Sequence, residues 1–297
     1  MYPSHILVAL SLAAIASTHC TRESLKSATD QYVSAQTNGQ GSSFSALSDK
    51  VNYTENEIPV NIKTSSILLQ PIKIDHSRSI HDPVACATFT ELIAASNPHP
   101  YVIATRMLLT DHKITAIESI ISDKGDWAFN ATGYLYWNSL ENWDPIPVEK
   151  RDSRAVIQAA GDAYFDRFQN VSVDVPFGNP CARLEGGAYT GAGRLDQNSC
   201  NLGGLPSTIV VSNRRYVVDE EIGVVDIYLG FPGLDRTQGQ NPMPDSHAFR
   251  VEEGKIRYIH TVSSCVTAGC GMNGTGPVLN ATAPSLRSMR VRKRVSL

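Results

Sequence analysis

The sequence predicts an α+β fold of two tandem, similar units, each a helix backing a curled antiparallel sheet. The first observation is an internal echo: Ala28-Thr-Asp30-Gln-Tyr32 returns as Ala160-Gly-Asp162-Ala-Tyr164. Both strings lie in helical patterns. Leu25, Ala28 and Tyr32 share one face of the first, and Val156, Ala159, Ala160, Ala163 and Tyr164 line the second. Thr21 and Ser153 are the expected N-caps. The second observation is a repeated unit ending. Met107-Leu-Leu-Thr-Asp-His-Lys-Ile114 aligns with Phe249-Arg-Val-Glu-Glu-Gly-Lys-Ile256, each with a two-residue polar turn between alternating apolar runs. Such a turn marks a hairpin. The strands after the turns are Ile114–Ile121 and Ile256–Val262.

A helix followed by a curled sheet is the layout of the ketosteroid-isomerase-like (SnoaL-like) cone, in which the sheet wraps the helix around a pocket. The expected organisation is a signal peptide at 1–16, a first cone at 17–123, an aromatic connector at 124–152, a second cone at 153–270 and a basic tail at 271–297. The connector holds all three tryptophans, Trp127, Trp137 and Trp143. Rings at that density gain from burial, so the segment is expected to pack the units together.

The chain reads as one made for the secretory pathway. An apolar run from Ile6 to Ala16 ends in the small-residue pattern Ala14-Ile15-Ala16, with cleavage expected before Ser17. The run is too short to span a bilayer, and no later stretch is long enough. Six cysteines remain, an even number in an oxidising compartment. Cys181 with Cys200 and Cys265 with Cys270 are the favoured local pairs, which leaves Cys20 for Cys86. A metal site is the rival reading, but no Cys-x-x-Cys or His-x-x-x-His spacing supports it. Sequons begin at Asn52, Asn130, Asn170, Asn273 and Asn280 and imply surface positions. A mild net charge of −3 argues for neither nucleic acid nor a membrane as partner.

Several residues carry types suited to chemistry. His76 and His81 stand in Asp75-His76-Ser77-Arg78-Ser79-Ile80-His81-Asp82, where a carboxylate beside an imidazole can raise its basicity. A polar loop with solvated charges reads this string equally well. Tyr53 and Glu55 share a face of an extended segment and suit proton transfer and oxyanion stabilisation. Arg183 precedes a glycine-rich stretch and offers a fork of donors for carboxylate or anhydride oxygens. Asp245, His247 and Arg250 precede the last hairpin, and His260 reads as a core histidine. The glycines form no Walker or dinucleotide fingerprint, no Gly-x-Ser-x-Gly elbow is present, and no cofactor is expected.

The strings TRESL, IDHSRSIHD, DKGDWAFNATGYLYW, CARLEGGAYTG, NRRYVVDEE and PDSHAFRV, in this order, resemble a family of secreted fungal proteins across nearly the whole mature chain. Some proteins similar to this family are regarded as ketosteroid-isomerase-like dimerising cyclases that couple alkyl maleic-anhydride monomers into maleidrides such as phomoidrides. The resemblance therefore implies a secondary-metabolism enzyme forming carbon–carbon bonds, with a small apolar or anhydride-type metabolite and proteins of a biosynthetic pathway as partners. It carries no site assignment across. By residue type, His76 and His247 are the candidate bases, Arg183 the anion holder and Tyr53 the oxyanion donor. The alternatives are a secreted non-catalytic protein that binds a small ligand or acts as an effector, and an extracellular hydrolase.

A chain made for the secretory pathway is expected to start at Ser17 when mature and to contain no free thiol. Intact mass with and without alkylation checks both. Reactive thiols in the stable protein would overturn the disulfide framework.

Overall fold

The computed structural model describes residues 20–42, 44–190, 200, 207–232, 242–266 and 270. The expected signal peptide, the tail and the sequons at Asn273 and Asn280 lie outside the described residues. Helix α1 (Arg22–Asn38) starts where expected, with the Thr21 hydroxyl accepting from the Ser24 amide. It buries Leu25, Ala28, Tyr32 and Ala35, one stripe of the helix. It ends at Gly39, whose left-handed backbone caps the last carbonyls. Helix α3 (Arg154–Asp166) follows Ser153 but buries Ile157, Ala160, Gly161, Tyr164 and Phe165. The expected face was therefore off by one position: Val156 is 41% exposed and Ile157 is fully buried. The observed stripe buries Ile157 and Phe165 rather than alanines, and larger apolar area decides the rotation.

Each helix is followed by a six-stranded sheet. The first contains β1 (Leu47–Glu55), β2 (Ile58–Pro59), β3 (His76–Asp82), β4 (Ala87–Ala94), β5 (Tyr101–Thr110) and β6 (Lys113–Ser122). Its order is β2-β1-β6-β5-β4-β3. Between the sheets in sequence comes α2 (Ala131–Asn138). The second sheet contains β7 (Phe177–Glu185), β8 (Ala188–Tyr189), β9 (Arg215–Asp219), β10 (Val224–Phe231), β11 (Met243–Glu252) and β12 (Lys255–Ser263). Its order, β8-β7-β12-β11-β10-β9, repeats the first. The two hairpins turn through Asp111-His112 and Glu253-Gly254, all four at positive φ, the backbone that a type I′ turn requires.

The sheets are mixed rather than wholly antiparallel. β1 runs parallel to β6, and β7 parallel to β12. Alternating apolarity marks a strand but not its direction. No hairpin joins β1 to β6, so nothing local enforces the antiparallel choice.

One face of each sheet covers its own helix. α1 and the first sheet enclose Leu25, Tyr32, Leu92, Ile103, Met107 and Ile117. α3 and the second enclose Ile157, Phe165, Ile227, Phe249 and Ile259. The opposite faces pack on each other: Ile80, Phe89, Ala104 and Ile120 meet Leu184, Val217, Tyr228 and Val262 in a third cluster. Tyr134 and Trp137 of α2 are buried in that third cluster, and Trp143 packs against it. The glycine pair before β8 has a packing role there. A Cβ on Gly187, at φ 118°, would stand 2.2 Å from the Asn130 carbonyl oxygen.

Disulfides join Cys20 to Cys86, Cys181 to Cys200 and Cys265 to Cys270. Asn52, Asn130 and Asn170 are exposed, as glycan acceptors must be. Among the described residues, no helix is long and apolar enough to cross a membrane.

The units are fastened by a reciprocal exchange. Arg22 of α1 places its two terminal nitrogens 2.8 and 2.9 Å from the carboxylate of Asp219 on β9. Arg154 of α3 does the same to Asp82 on β3, at 2.7 Å for both contacts. The His81 amide donates to Asp219, and the Val218 amide donates to Asp82. Both aspartate side chains are fully buried. Truncating either arginine strands a buried carboxylate, so Arg22→Ala and Arg154→Ala are each expected to destabilise the chain by about 3–5 kcal/mol. Urea unfolding at pH 7 measures this, and losses below ~1 kcal/mol would show that the pairs contribute little.

Candidate active site

The interior of the second unit collects polar groups that the fold leaves without partners. Alternation on β11 puts Asp245, His247 and Phe249 on one face, and the register sets His247 opposite Thr261 and Asp245 opposite Ser263 on β12. On β7, Arg183 stands opposite Ile259 and Glu185 opposite Thr261. All face α3, where Tyr164 and Phe165 close the space: the His247 ring lies 5.6 Å from the Tyr164 ring and 5.0 Å from that of Phe165.

Arg183 is buried, with its guanidinium carbon 5.4 Å from the Tyr164 ring centroid. Its Nη2 donates to Glu185, while Nε and Nη1 make no hydrogen bond although both are buried. Asp245 accepts from Ser263 through Oδ1 at 2.9 Å, and its Oδ2 has no partner. The same Oδ1 is 3.3 Å from His247 Nδ1, but the two are not aligned as a hydrogen bond, so Nδ1 is also unpartnered. Thr261 Oγ1 completes the set. A buried polar atom without a partner costs about 1–3 kcal/mol, so clusters of them are rare in folded proteins. Here donors of a cation, a carboxylate oxygen, an imidazole nitrogen and a hydroxyl converge on one interior. Such a set can hold an oxyanion, orient a carbonyl and move a proton.

The first unit shows what the same frame looks like when closed. Tyr53 stands opposite Ile117 and Glu55 opposite Ser119, in the registers of Arg183 and Glu185. Thr105 stands opposite Ser119, in the register of His247 and Thr261. There the hydroxyls satisfy one another. Tyr32 bonds Thr105 at 2.7 Å, Thr105 bonds Ser119 at 2.9 Å, and Tyr53 donates to Glu55 at 2.7 Å. Burial first, then the neighbouring Glu55 charge, pushes the Tyr53 phenol well above its usual value. Tyr53 and Arg183, both chosen from the sequence, are thus equivalent positions in different units rather than members of one site.

The remaining sequence candidates fall elsewhere. His76 lies on β3 and shares a strand face with Arg78, the face packed between the sheets, so it does not join Arg183 and His247. His81 faces α1, 3.1 Å from the Thr29 hydroxyl. Burial, then the Arg22 charge, lowers it to about 4. Asp75 accepts from the Ser96 amide and hydroxyl, one through each carboxylate oxygen.

A second buried cluster lies between the units, and its acids escaped the sequence reading. His260 on β12 holds Glu91 of β4 through Nδ1 at 2.9 Å and Glu141 of the connector through Nε2 at 2.5 Å. Glu91 also accepts from Tyr134, Asn138 and Arg78. Trp143 donates to Glu141 and lies 4.0 Å from the Arg78 guanidinium carbon. The only signal for Glu91 was a charge inside the otherwise uncharged strand TFTELIA. Burial opposes the charged form of His260, but Glu141 and Glu91 outweigh it and raise the imidazole to about 9. Burial also opposes the charge of Glu91, yet His260 and Arg78 hold it below the carboxylate range.

Residues 150–263 match the family model of a domain of unknown function (DUF8021). The match begins just before α3 and ends on the last residue of β12, so it coincides with the second unit and its unpartnered interior. No curated protein and no solved structure matches the chain.

The His260 pair gives a pH signature. Its value in the folded chain lies above the unfolded one, so its contribution is fully present below about pH 6.5 and is lost as pH rises through about 9. Unfolding free energy is expected to fall across that window by on the order of 3 kcal/mol. In His260→Gln the slope should flatten, and stability at pH 6 should drop by about 3–5 kcal/mol because Glu141 loses the cation bonded to it and Glu91 keeps only Arg78. Equal slopes in both proteins would remove His260 from the linkage.

Proposed function

We propose that the chain is a secreted enzyme of ketosteroid-isomerase-like fold whose reaction runs inside the second unit. The observation that carries this reading is the set of buried, unpartnered groups of Arg183, Asp245, His247 and Thr261, placed where the first unit has a closed hydroxyl chain. The three disulfides fit the oxidising compartment that the reading requires.

The chemistry the site suits is proton abstraction beside a carbonyl, followed by carbon–carbon bond formation. His247 takes the proton, with the Asp245 carboxylate beside it to stabilise the imidazolium that forms. The electron pair moves onto the carbonyl oxygen, and the free Nε and Nη1 donors of Arg183 hold the resulting enolate. The enolate carbon then adds to the electron-poor C=C of the second monomer, whose π pair moves onto its own carbonyl, and the imidazolium returns its proton to the carbon left there. The aromatic walls formed by Tyr164, Phe165 and Phe249 exclude water and suit an alkyl-bearing substrate. Alkyl maleic-anhydride monomers, the substrates implied by the resemblance, combine such an alkyl chain with carbonyl oxygens and acidic hydrogens.

The second reading is a non-catalytic protein that binds a small anionic ligand through the same residues. One experiment separates the two. The purified protein is incubated with maleic-anhydride monomers, coupling is followed by mass spectrometry, and ligand binding is followed by calorimetry. The expected result is coupling by wild type, a loss of about 10²–10⁴-fold in His247→Gln, and a comparable loss in Arg183→Lys, whose ammonium lacks the paired donors. Binding without turnover in wild type would favour the second reading. Full activity in His247→Gln would remove it as the base.

A further inference from the structure

We propose that a groove on the first unit, remote from the second-unit interior, binds a small amphipathic carboxylate of the medium-chain alkyl acid type. The groove lies between the segment that leads into β1 and the stretch after β2, and encloses about 730 Å³. That volume falls within the range of about 300–1,000 Å³ typical of small-molecule sites. Its origin is a break in the β1–β6 ladder: the register shifts between Leu47 and Asn52, so the intervening residues leave the sheet edge. The corresponding stretch of β7 is tied down by the Cys181–Cys200 bridge.

The floor is apolar. Phe44, Leu47, Val51 and Val60 line the groove while packing from their other side on the α1 core, and all four stay half-exposed. The rim is cationic. Lys50, Lys63 and Lys113 border the groove and are exposed, against one acid, Asp49. Among the described residues, none of these three lysines forms an ion pair. Lys113 donates to the Ser45 carbonyl at 2.6 Å, which fixes its ammonium at the groove's edge and leaves it further donors. A half-exposed apolar floor gains from covering by an alkyl chain, and unpaired ammonium groups at its rim gain from a carboxylate head. A neutral apolar ligand leaves the lysines unmatched, and a cation meets three like charges.

The test is calorimetric titration of the full mature chain, enzymatically deglycosylated because the Asn52 acceptor lies on β1. The probes are decanoate, decanol and decylammonium. Decanoate is expected to bind one-to-one, at least tenfold tighter than decylammonium, and to weaken as salt shortens the screening length from about 30 Å at 0.01 M to about 8 Å at 0.15 M. The double variant Lys50→Glu/Lys63→Glu, with both changes on exposed side chains, should weaken decanoate at least tenfold. Arg183→Lys should leave it unchanged. Equal binding of decanoate and decylammonium, an unchanged constant in the lysine double variant, loss of binding in Arg183→Lys, or no decanoate binding would each overturn the proposal.

Discussion

The structure depends on the exchange of arginine forks between the two units. Asp82 and Asp219 are carboxylates with no exposure, and the cation each needs comes from the first turn of the other unit's helix. Separating the units would leave both charges uncompensated, a far larger penalty than the loss of an exposed ion pair. The exchange also sets β3 beside β9 and presses the outer sheet faces into a shared core with α2. Each unit's helix-covered interior then points away from the junction. The two interiors are free to differ, because neither contributes to holding the halves together.

They do differ, at matching positions. In the first unit Thr105, Ser119 and Tyr32 close a chain of hydroxyls, and Tyr53 ends on Glu55. In the second, His247, Thr261 and Arg183 occupy those registers and leave donors and acceptors open. An unpartnered buried group is a local loss of stability. Along these matched registers one half closes its polar atoms and the other leaves them open, the pattern expected when a repeated frame divides scaffold from site. Violations of local satisfaction concentrate where function requires them.

Much of the frame was legible in the sequence because its signals are local. The polar pairs Asp111-His112 and Glu253-Gly254 between alternating runs identify hairpins, and Thr21 marks a helix start. What the sequence withheld depends on distance along the chain. The parallel partnership of β1 with β6 leaves no trace in either strand's alternation. The Glu91–His260 contact joins residues 169 positions apart, and neither residue's neighbours announce the other. Arg183 and His247 stood out as residue types suited to chemistry, but their shared interior was hidden. Tyr53 stood out equally, because residue type alone does not separate a phenol that closes a network from a guanidinium that leaves one open.

The two buried clusters of the second sheet, set side by side, show which can be a site. The inter-unit cluster balances Arg78 and His260 against Glu91 and Glu141, and both nitrogens of His260 are already donating. Its imidazole, raised to about 9, is protonated at neutral pH and cannot accept a proton from a substrate without dismantling its own ion pairs. That cluster therefore serves as a fastening. The interior cluster has the opposite character. His247 keeps a ring nitrogen free of hydrogen bonds, and Arg183 keeps two donors uncommitted. A base needs a lone pair and an enolate needs unoccupied donors. On the proposed reading, both are supplied by the unpartnered groups on the α3-facing side of the second sheet.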